Sequence, residues 1–236
     1  FSLYGFIMNT DRIPSVYARP PVRPRPQRQW PNNSITHTPQ WCAVDLRDGN
    51  QALPNPMTPA QKMRYFDMLC GIGFKQIEIG FPAAAADEFN FARQLIEGDH
   101  IPDDVTISVL TQARPELIER TMDALAGVKQ AVVHFYIAAS ELHREFVFGK
   151  TRDEQIEMAR AATVQIREAA AQMGDSRIGL EFSPEEFTDG DMEYMLEVCD
   201  LVTQTWDRQP DEARVILNLP ATVERRLPHE YADMIE

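Results

Sequence analysis

The sequence predicts an α/β fold, a TIM-type (β/α)8 barrel of which about six of the eight βα units are present. Three observations lead to this prediction. From Trp41 onward, short apolar runs alternate with longer amphipathic segments. No Gly-x-Gly-x-x-Gly motif follows the first apolar run, and polar groups follow the ends of the runs instead.

The short apolar runs are predicted to be strands, because turn or polar residues bound each of them. They are residues 42–46, 76–81, 106–111, 131–137, 177–182 and 214–219. The longer segments between them are predicted to be helices, at residues 59–71, 86–96, 116–126, 152–173 and 191–206. Alternation at this spacing indicates a parallel sheet with right-handed crossovers.

Several helix ends carry specific signals. Thr58 is an N-cap residue followed by a proline at the first helical position. Thr151 is followed three residues later by Glu154, which is the spacing of a capping box. Gly71 and Gly73 are predicted to end the first helix, since glycine is the usual residue beyond a helix C-terminus.

Polar residues at the strand ends favour a barrel over a doubly wound sheet. A doubly wound sheet gathers its chemistry at one switch point, whereas a barrel draws it from many strand ends. The candidate groups here are Arg47 and Asp48, Glu78, Gln112, His134, Ser183 and Glu185, and Asn218 and Thr222. Because a closed barrel needs eight strands, the six predicted strands indicate an incomplete barrel.

Residues 1–40 are predicted to form an extended arm that precedes the barrel at residues 41–236. The stretch 18–28 is rich in proline and arginine. Proline removes a backbone donor and cannot occupy a helix interior or a central strand. We expect this arm to lie across the body of the protein or across a partner subunit.

Composition narrows the class of protein. The 236 residues hold 23 Lys and Arg against 36 Asp and Glu, a formal net charge of −13, which argues against nucleic acid as a partner. No apolar run is long enough to span a bilayer, and residues 1–8 lack the basic start of a signal peptide. The three cysteines have no paired spacing, which fits a reducing cytoplasm. We therefore predict a cytoplasmic protein with neither nucleic acid nor membrane partners.

The first predicted strand ends in Asp45-Leu-Arg-Asp-Gly-Asn-Gln51, the densest group of functional side chains in the sequence. An Asp before Gly is a common turn former, and this interpretation stands beside that of Asp48 as a ligand of a metal cation. Arg47 favours a functional site, because an exposed turn has no need of a guanidinium group that emerges from an apolar run.

The later strand ends are ambiguous one by one. His134 is either a core histidine or a substrate contact. Glu185 either begins a helix or serves as an acid–base group, and Thr222 is either a helix cap or a substrate contact. The other histidines show no ligand spacing and are predicted to be surface or loop residues: His37, His100, His143 and His229.

Taken together, the strand-end motifs strongly resemble those of the 2-isopropylmalate synthase family, in the same order and spacing. They are Val44-Asp-Leu-Arg-Asp-Gly-Asn-Gln51, Glu78-Ile-Gly-Phe-Pro82, Val109-Leu-Thr-Gln112, Val133-His-Phe-Tyr136, Glu181-Phe-Ser-Pro-Glu185 and Asn218-Leu-Pro-Ala-Thr-Val-Glu224. The likeness runs from about Trp30 to the last residue, and the first motif is similar to that of the longer type of this family.

The resemblance implies an acyltransferase of leucine biosynthesis that condenses acetyl-CoA with 3-methyl-2-oxobutanoate to give 2-isopropylmalate. It implies a divalent cation (Mg, Mn or Zn), held by Asp48 and by a His-x-His pair, and a homodimer. Arg47 is expected to bind substrate and steady the developing oxyanion, and Glu185 to belong to the acid–base network. The 2-oxo acid is expected to contact His134, Ser183 and Thr222.

Two departures from the family pattern qualify this expectation. Residues 137–140 are Ile-Ala-Ala-Ser, where the family is often polar, so the substrate pocket is expected to differ in detail. No His-x-His occurs among the 236 residues. We therefore expect a barrel truncated before the His-x-His strand, and a chain that is inactive by itself because one carboxylate cannot hold a catalytic cation.

Two alternatives stay open at this point. The first is a homocitrate or citramalate synthase-like enzyme, or a related metal-dependent lyase, which substrate profiling with different 2-oxo acids distinguishes. The second is a non-catalytic barrel remnant. A His-x-His-Asn motif encoded within about 20 residues beyond Glu236, the length of one βα repeat, supports catalysis instead.

Overall fold

The computed structural model describes residues 27–206 and 215–236. In these residues six parallel strands form one sheet, in which each strand pairs with the next along the chain. The strands are β1 (Cys42–Ala43), β2 (Gln76–Gly80), β3 (Thr106–Gln112), β4 (Gln130–Ala138), β5 (Arg177–Glu185) and β6 (Ile216–Leu217). Because the strand order never reverses, the sheet has no switch point, and it forms an incomplete (β/α)8 barrel.

Helices connect the strands. They are α1 (Asp48–Gln51), α2 (Pro59–Ile72), α3 (Ala86–Glu97), α4 (Pro115–Ala124), α5 (Arg152–Ala171), α6 (Met192–Trp206) and α7 (Pro228–Ile235). One turn of π-helix, His143–Val147, and 3-10 turns at Trp30–Asn32 and Phe187–Asp189 complete the described elements. Among all these helices, none is both long and apolar enough to cross a membrane.

The helix-end signals are mostly confirmed. The Thr58 side chain caps α2, and Thr151 forms a reciprocal capping box with Glu154 at the start of α5. Gly73 ends α2 in the left-handed region, at φ +111°. The prediction for Gly71 is wrong, because this residue lies inside α2.

The first and last strands differ most from their predictions. β1 covers only Cys42–Ala43, because the Val44 carbonyl accepts hydrogen bonds from the backbone of Arg47 and Gly49 and turns the chain into α1. Asp48 therefore begins a short helix instead of following a longer strand. β6 covers only Ile216–Leu217, and residue 214 of its predicted range lies outside the described residues.

The core lies along strands β2 to β5. Every residue of β2 is buried, and the rings of Phe135 on β4 and Phe182 on β5 pack with their centroids 4.9 Å apart. On α5 the small residues Ala159 and Ala162 are buried, which allows a close approach of this helix to the sheet. The central strands thus provide a rigid base for the residues at their carboxyl ends.

The predicted arm is described only from residue 27, and residues 1–26 of that prediction lie outside the described residues. Arg28 forms a two-pronged ion pair with Asp233 of α7, with both N–O distances 2.6 Å. Trp30 Nε1 donates to the same carboxylate at 2.8 Å, and the Gln29 backbone donates to Glu236. These contacts lower the pKa of Asp233 to about 2, through the Arg28 hydrogen bonds first and Trp30 second.

Candidate active site

The carboxyl ends of the strands open into a cavity of about 1030 Å³. Parallel strands present these ends at one rim, which is where barrel enzymes carry their chemistry. All six residues that the sequence singled out for roles line this cavity: Arg47, Asp48, His134, Ser183, Glu185 and Thr222. The structure brings them together, and the role of each stays a prediction.

Two carboxylates hold the Arg47 guanidinium group in place. Nη1 lies 2.7 Å from Asp48 Oδ1, and Nη2 lies 3.0 Å from Glu78 Oε2. The Arg47 side chain is 13% exposed and that of Glu78 only 3% exposed. A charge this deeply buried needs such partners. The ion pair with Glu78 joins the turn after β1 to the neighbouring strand β2.

A chain of hydrogen bonds continues from Glu78 across the floor of the cavity. Glu78 Oε1 lies 2.9 Å from His134 Nδ1, and His134 Nε2 lies 2.7 Å from Ser183 Oγ. Asn218 Nδ2 donates to the same Ser183 oxygen at 2.8 Å. The network holds the imidazole ring of His134 through both of its nitrogens, Nδ1 beside Glu78 and Nε2 beside Ser183.

Two carboxyl groups beside His134, that of the buried Glu78 and that of the partly buried Glu181, have opposite pKa shifts. Burial alone raises the pKa of Glu78, but the hydrogen bond with His134 and the charges of His134 and Arg47 outweigh it and lower the value. Glu181 Oε1 lies 3.7 Å from His134 Nδ1. Its pKa is raised, because burial outweighs the attraction of His134 and Arg47.

Glu185 ends β5 at the edge of the cavity. Burial raises the pKa of its carboxyl group, and the negative charge of Glu186 raises it further. A carboxylate with a raised pKa is a stronger base than an ordinary surface carboxylate. This is the property that proton transfer from carbon requires.

The predicted metal ligand Asp48 and the predicted substrate contact Thr222, which lie at the two ends of the sheet, are exposed. The Asp48 side chain is 62% exposed, and Thr222 lies at the rim after β6. In residues 27–206 and 215–236, no group of three or more His, Cys, Asp or Glu side chains is arranged to hold a metal ion. Asp48 is therefore at most one ligand of a site that the described residues do not complete.

Sequence reasoning gave no role to three residues of this network. Glu78 and Asn218 were recognisable as strand-end groups, but only the fold shows that they bind His134 and Ser183. Glu181 begins one of the quoted motifs but was given no role, because its position in the middle of β5 has no distinctive spacing. Residues in the interior of a buried strand look like core in the sequence.

Two further residues make contacts that the sequence did not indicate. His143, predicted to be a surface or loop residue, is 37% exposed in the turn after β4, and its Nδ1 is hydrogen-bonded to Glu186, which lies directly after β5. Lys62 on α2 is only 2% exposed and pairs with Glu88 at 2.6 Å, while also donating to the Ile79 carbonyl. No sequence signal distinguished this lysine from a solvated one.

Comparison with known proteins adds to this geometry. The profile of the HMGL-like family matches residues 38–236. The chain is 52% identical over 211 residues to a 2-isopropylmalate synthase of Pseudarthrobacter chlorophenolicus, and 51% identical over 211 residues to one of Arthrobacter sp.. It is 48% identical over 217 residues to a 2-isopropylmalate synthase of Ralstonia nicotianae. These alignments cover 89%, 89% and 92% of this chain.

The chain spans only 36%, 36% and 37% of the length of these three relatives. Among solved structures, an HMG-CoA lyase from Acenitobacter baumannii in complex with coenzyme A and 3-methylmalate is similar, with a TM-score of 0.58 and 17% sequence identity. That alignment covers 82% of this chain and 60% of the lyase chain. At this level of identity the likeness concerns the fold alone.

Proposed function

The chain belongs to the HMGL-like family, and from this premise we propose that it carries part of the active site of a 2-isopropylmalate synthase. The reaction is the condensation of acetyl-CoA with 3-methyl-2-oxobutanoate. The observation that carries the proposal is the junction of Arg47, His134 and Ser183 through Glu78 at one cavity. The high identity to enzymes of that name over most of this chain supports it.

Arg47 is proposed to bind the anionic end of the 2-oxo acid and the oxyanion that develops on its ketone. Its two terminal nitrogens are occupied by Asp48 and Glu78, while Nε is buried and has no hydrogen-bond partner among the described residues. A buried donor without a partner is costly, and an oxygen of a bound acid removes that cost. The fixed guanidinium group also requires no reorganisation when charge develops.

His134 and Ser183 are proposed to bind the polar end of the 2-oxo acid from the floor of the cavity. Glu78 orients the imidazole ring, and Asn218 occupies one lone pair of the Ser183 oxygen. Both side chains are buried and locked before substrate arrives. Such preorganisation lowers the entropy cost of binding. Thr222 is proposed to complete this contact from the exposed rim.

Glu185 is proposed to remove a proton from the acetyl methyl group of acetyl-CoA. Its raised pKa, caused by burial and by Glu186, makes it the more basic kind of carboxylate. After proton transfer the acid form of Glu185 is neutral, which suits its half-buried position. The carbanion equivalent of the thioester then attacks the ketone carbon, whose oxygen Arg47 binds, and the resulting alkoxide takes up a proton. Water then hydrolyses the thioester, which releases 2-isopropylmalate and the free thiol of CoA.

The metal that such an enzyme needs does not fit the described residues by themselves. Asp48 offers a carboxylate at the cavity, but it is mostly exposed and already paired with Arg47. A catalytic divalent cation needs several protein or substrate ligands. We propose Asp48 as one ligand of the cation. We also propose that the cation is Mg, Mn or Zn. The enzyme is further proposed to be a homodimer and to be cytoplasmic.

The proposal is tested by thiol release from acetyl-CoA, followed with a thiol reagent, for the complete gene product that contains this sequence. We expect 3-methyl-2-oxobutanoate to be preferred over pyruvate and 2-oxoglutarate. We also expect Arg47→Gln to lower kcat/KM by at least about 100-fold, as loss of one oxyanion donor does. A preference for another 2-oxo acid, or full activity of the variant, contradicts the proposal. The 236-residue chain alone is expected to release no thiol.

A further inference from the structure

Glu186, the residue after β5, has a backbone conformation that is unusual for its type. Its φ is +62° and its ψ +37°, in the left-handed region that crowds any side chain with a Cβ atom. Strain of this kind persists only where other contacts determine the conformation, and such positions concentrate at functional sites. The contacts of Glu186 are therefore informative.

The Glu186 side chain is anchored to the turn that follows β4. Its Oε2 accepts a hydrogen bond from the Ser140 hydroxyl, and the same oxygen lies 2.5 Å from His143 Nδ1. Ser140 is buried, and the Glu186 side chain is only 12% exposed. These two contacts join β5 to the segment between β4 and α5, and they hold the left-handed turn.

This anchor lies one residue from Glu185, whose carboxyl group has no hydrogen bond to any described residue. The direction of the Glu185 side chain therefore depends on its backbone. That backbone pairs with Ala138 of β4, and the Glu185 carbonyl accepts a hydrogen bond from the Ala139 backbone at 3.0 Å. The conformation at Glu186 fixes the end of the same short segment.

We propose that Glu186 is a positioning residue whose carboxylate, held by Ser140 and His143, fixes the turn that directs the Glu185 carboxyl group into the cavity. This proposal rests on the proposed function in one respect only, which is the proton transfer assigned to Glu185. Glu186 itself faces the loop after β4 and does not line the cavity. It acts through its neighbour and not on substrate.

Glu186 also sets the electrostatic surroundings of Glu185. Besides burial, the groups that act on the pKa of Glu185 are Glu186 and Asp48, which raise it, and His143 and Arg47, which lower it. Loss of the Glu186 charge is therefore expected to lower the pKa of Glu185, whereas loss of His143 is expected to raise it. A residue that only stabilises the fold would produce neither shift.

The backbone part of the proposal is tested by thermal unfolding of Glu186→Gly and Glu186→Ala. Both variants lose the anchor, but only glycine accepts φ near +62° without steric cost. We expect the alanine variant to melt at least about 3 °C below the glycine variant. Equal melting temperatures for the two variants contradict a turn that is held under strain.

The positioning part is tested by a pH titration of the Glu185 side-chain carboxyl carbon, observed by 13C NMR and assigned with Glu185→Gln. We expect Glu186→Gln to lower the midpoint by at least about 0.5 pH unit, and His143→Gln to raise it. Glu141→Gln is the matched control, because Glu141 lies in the same segment with its side chain 73% exposed. It should leave the midpoint unchanged.

An unchanged Glu185 midpoint in Glu186→Gln overturns the proposal, as does an equal shift in the Glu141→Gln control. If Glu186→Gln fails to fold, Glu186→Gly removes the same charge without backbone strain and gives the same expected shift. The titration needs no catalysis. Failure of the condensation assay therefore refutes the proposed function without affecting this result, and the reverse also holds.

Discussion

The candidate site residues on the central strands of the sheet are buried and hydrogen-bonded, whereas two of those beside the edge strands are exposed. On β2, β4 and β5, Glu78, His134 and Ser183 are buried and joined by hydrogen bonds. Beside the two-residue strands β1 and β6, Asp48 and Thr222 are exposed. A strand that is paired on both sides holds its side chains between two neighbours, whereas an edge strand is paired on one side only and holds them less firmly.

This difference separates two kinds of function. The central residues are preorganised by the chain itself, as a site for the 2-oxo acid requires. Asp48 pairs with Arg47 but is mostly exposed, and Thr222 lies at the exposed rim, so neither is fixed as firmly as the central residues. We therefore expect substitutions in the centre to cost stability and substitutions at the edges to cost little.

The largest effect is expected for Phe182→Ala on β5. Phe182 is fully buried against Phe135, so its truncation should lower the free energy of unfolding by about 4 kcal/mol. Leu217→Ala is the matched control, because Leu217 is the neighbour of Phe182 in register on β6 and is 40% exposed. Chemical denaturation should show a cost below about 1 kcal/mol for the control. Equal costs would remove the distinction between centre and edge.

The next effect is expected for Glu78→Gln, which leaves the Arg47 guanidinium group without its buried partner. We expect a loss of about 3 kcal/mol near neutral pH. Because the folded pKa of Glu78 is lowered, its contribution is present above the ordinary carboxyl pKa and disappears as pH falls through the folded value. Denaturation curves at several pH values should show the difference from wild type shrinking in acid.

Glu97→Gln is the control for this substitution, since Glu97 makes an i,i+4 pair with Arg93 and is 66% exposed. Surface pairs of this kind contribute about 0.5 kcal/mol or less. A cost for Glu97→Gln as large as that for Glu78→Gln would mean that burial does not decide the strength of these ion pairs.

A smaller effect of opposite sign is expected for Glu181→Gln. The raised pKa of Glu181 means that the folded state disfavours its charged form, so wild-type stability falls as pH rises from the ordinary carboxyl pKa to the folded value. The glutamine variant should therefore be more stable than wild type by about 1 kcal/mol near neutral pH. It should gain nothing in acid. Destabilisation at neutral pH would show that Glu181 is needed as an anion.

The smallest effect is expected where the arm contacts α7. Asp233→Asn should weaken the contact with Arg28 and speed tryptic cleavage after Arg28 several-fold, with little change in melting temperature. Because the pKa of Asp233 is lowered to about 2, the wild-type contact should persist until the pH approaches that value. Asp200→Asn, at an exposed position of α6, should leave cleavage unchanged. Equal cleavage rates in all three proteins would mean that the contact does not protect the arm.

The same contrast between centre and edge explains what the sequence could predict. Strands β2 to β5 were recognisable, because buried parallel strands appear as continuous apolar runs between helix signals. β1 was predicted too long, because the apolar run from Trp41 to Val44 looked buried. On this edge strand only Ala43 is buried, whereas Cys42 and Val44 are exposed and Trp41 is 68% exposed.

The site was predictable where chemistry follows a strand end, and unpredictable where it depends on pairing between strands. Arg47, His134 and Ser183 could be named from their motifs. The contact of Glu181 with His134 and that of His143 with Glu186 could not, because these pairs, 47 and 43 positions apart, meet only through the register of β4 and β5. That register is a property of the folded sheet.

The most direct test of the central claim is the binding of 13C-labelled 3-methyl-2-oxobutanoate to the 236-residue chain, followed by NMR. Because the residues of the central strands are preorganised, we predict saturable binding that perturbs His134 and is weakened at least about tenfold by Ser183→Ala. Thr222→Ala, at the exposed rim, should change the affinity less than about threefold. The account is contradicted if Ser183→Ala leaves the affinity unchanged, or if Thr222→Ala lowers the affinity as much as Ser183→Ala does.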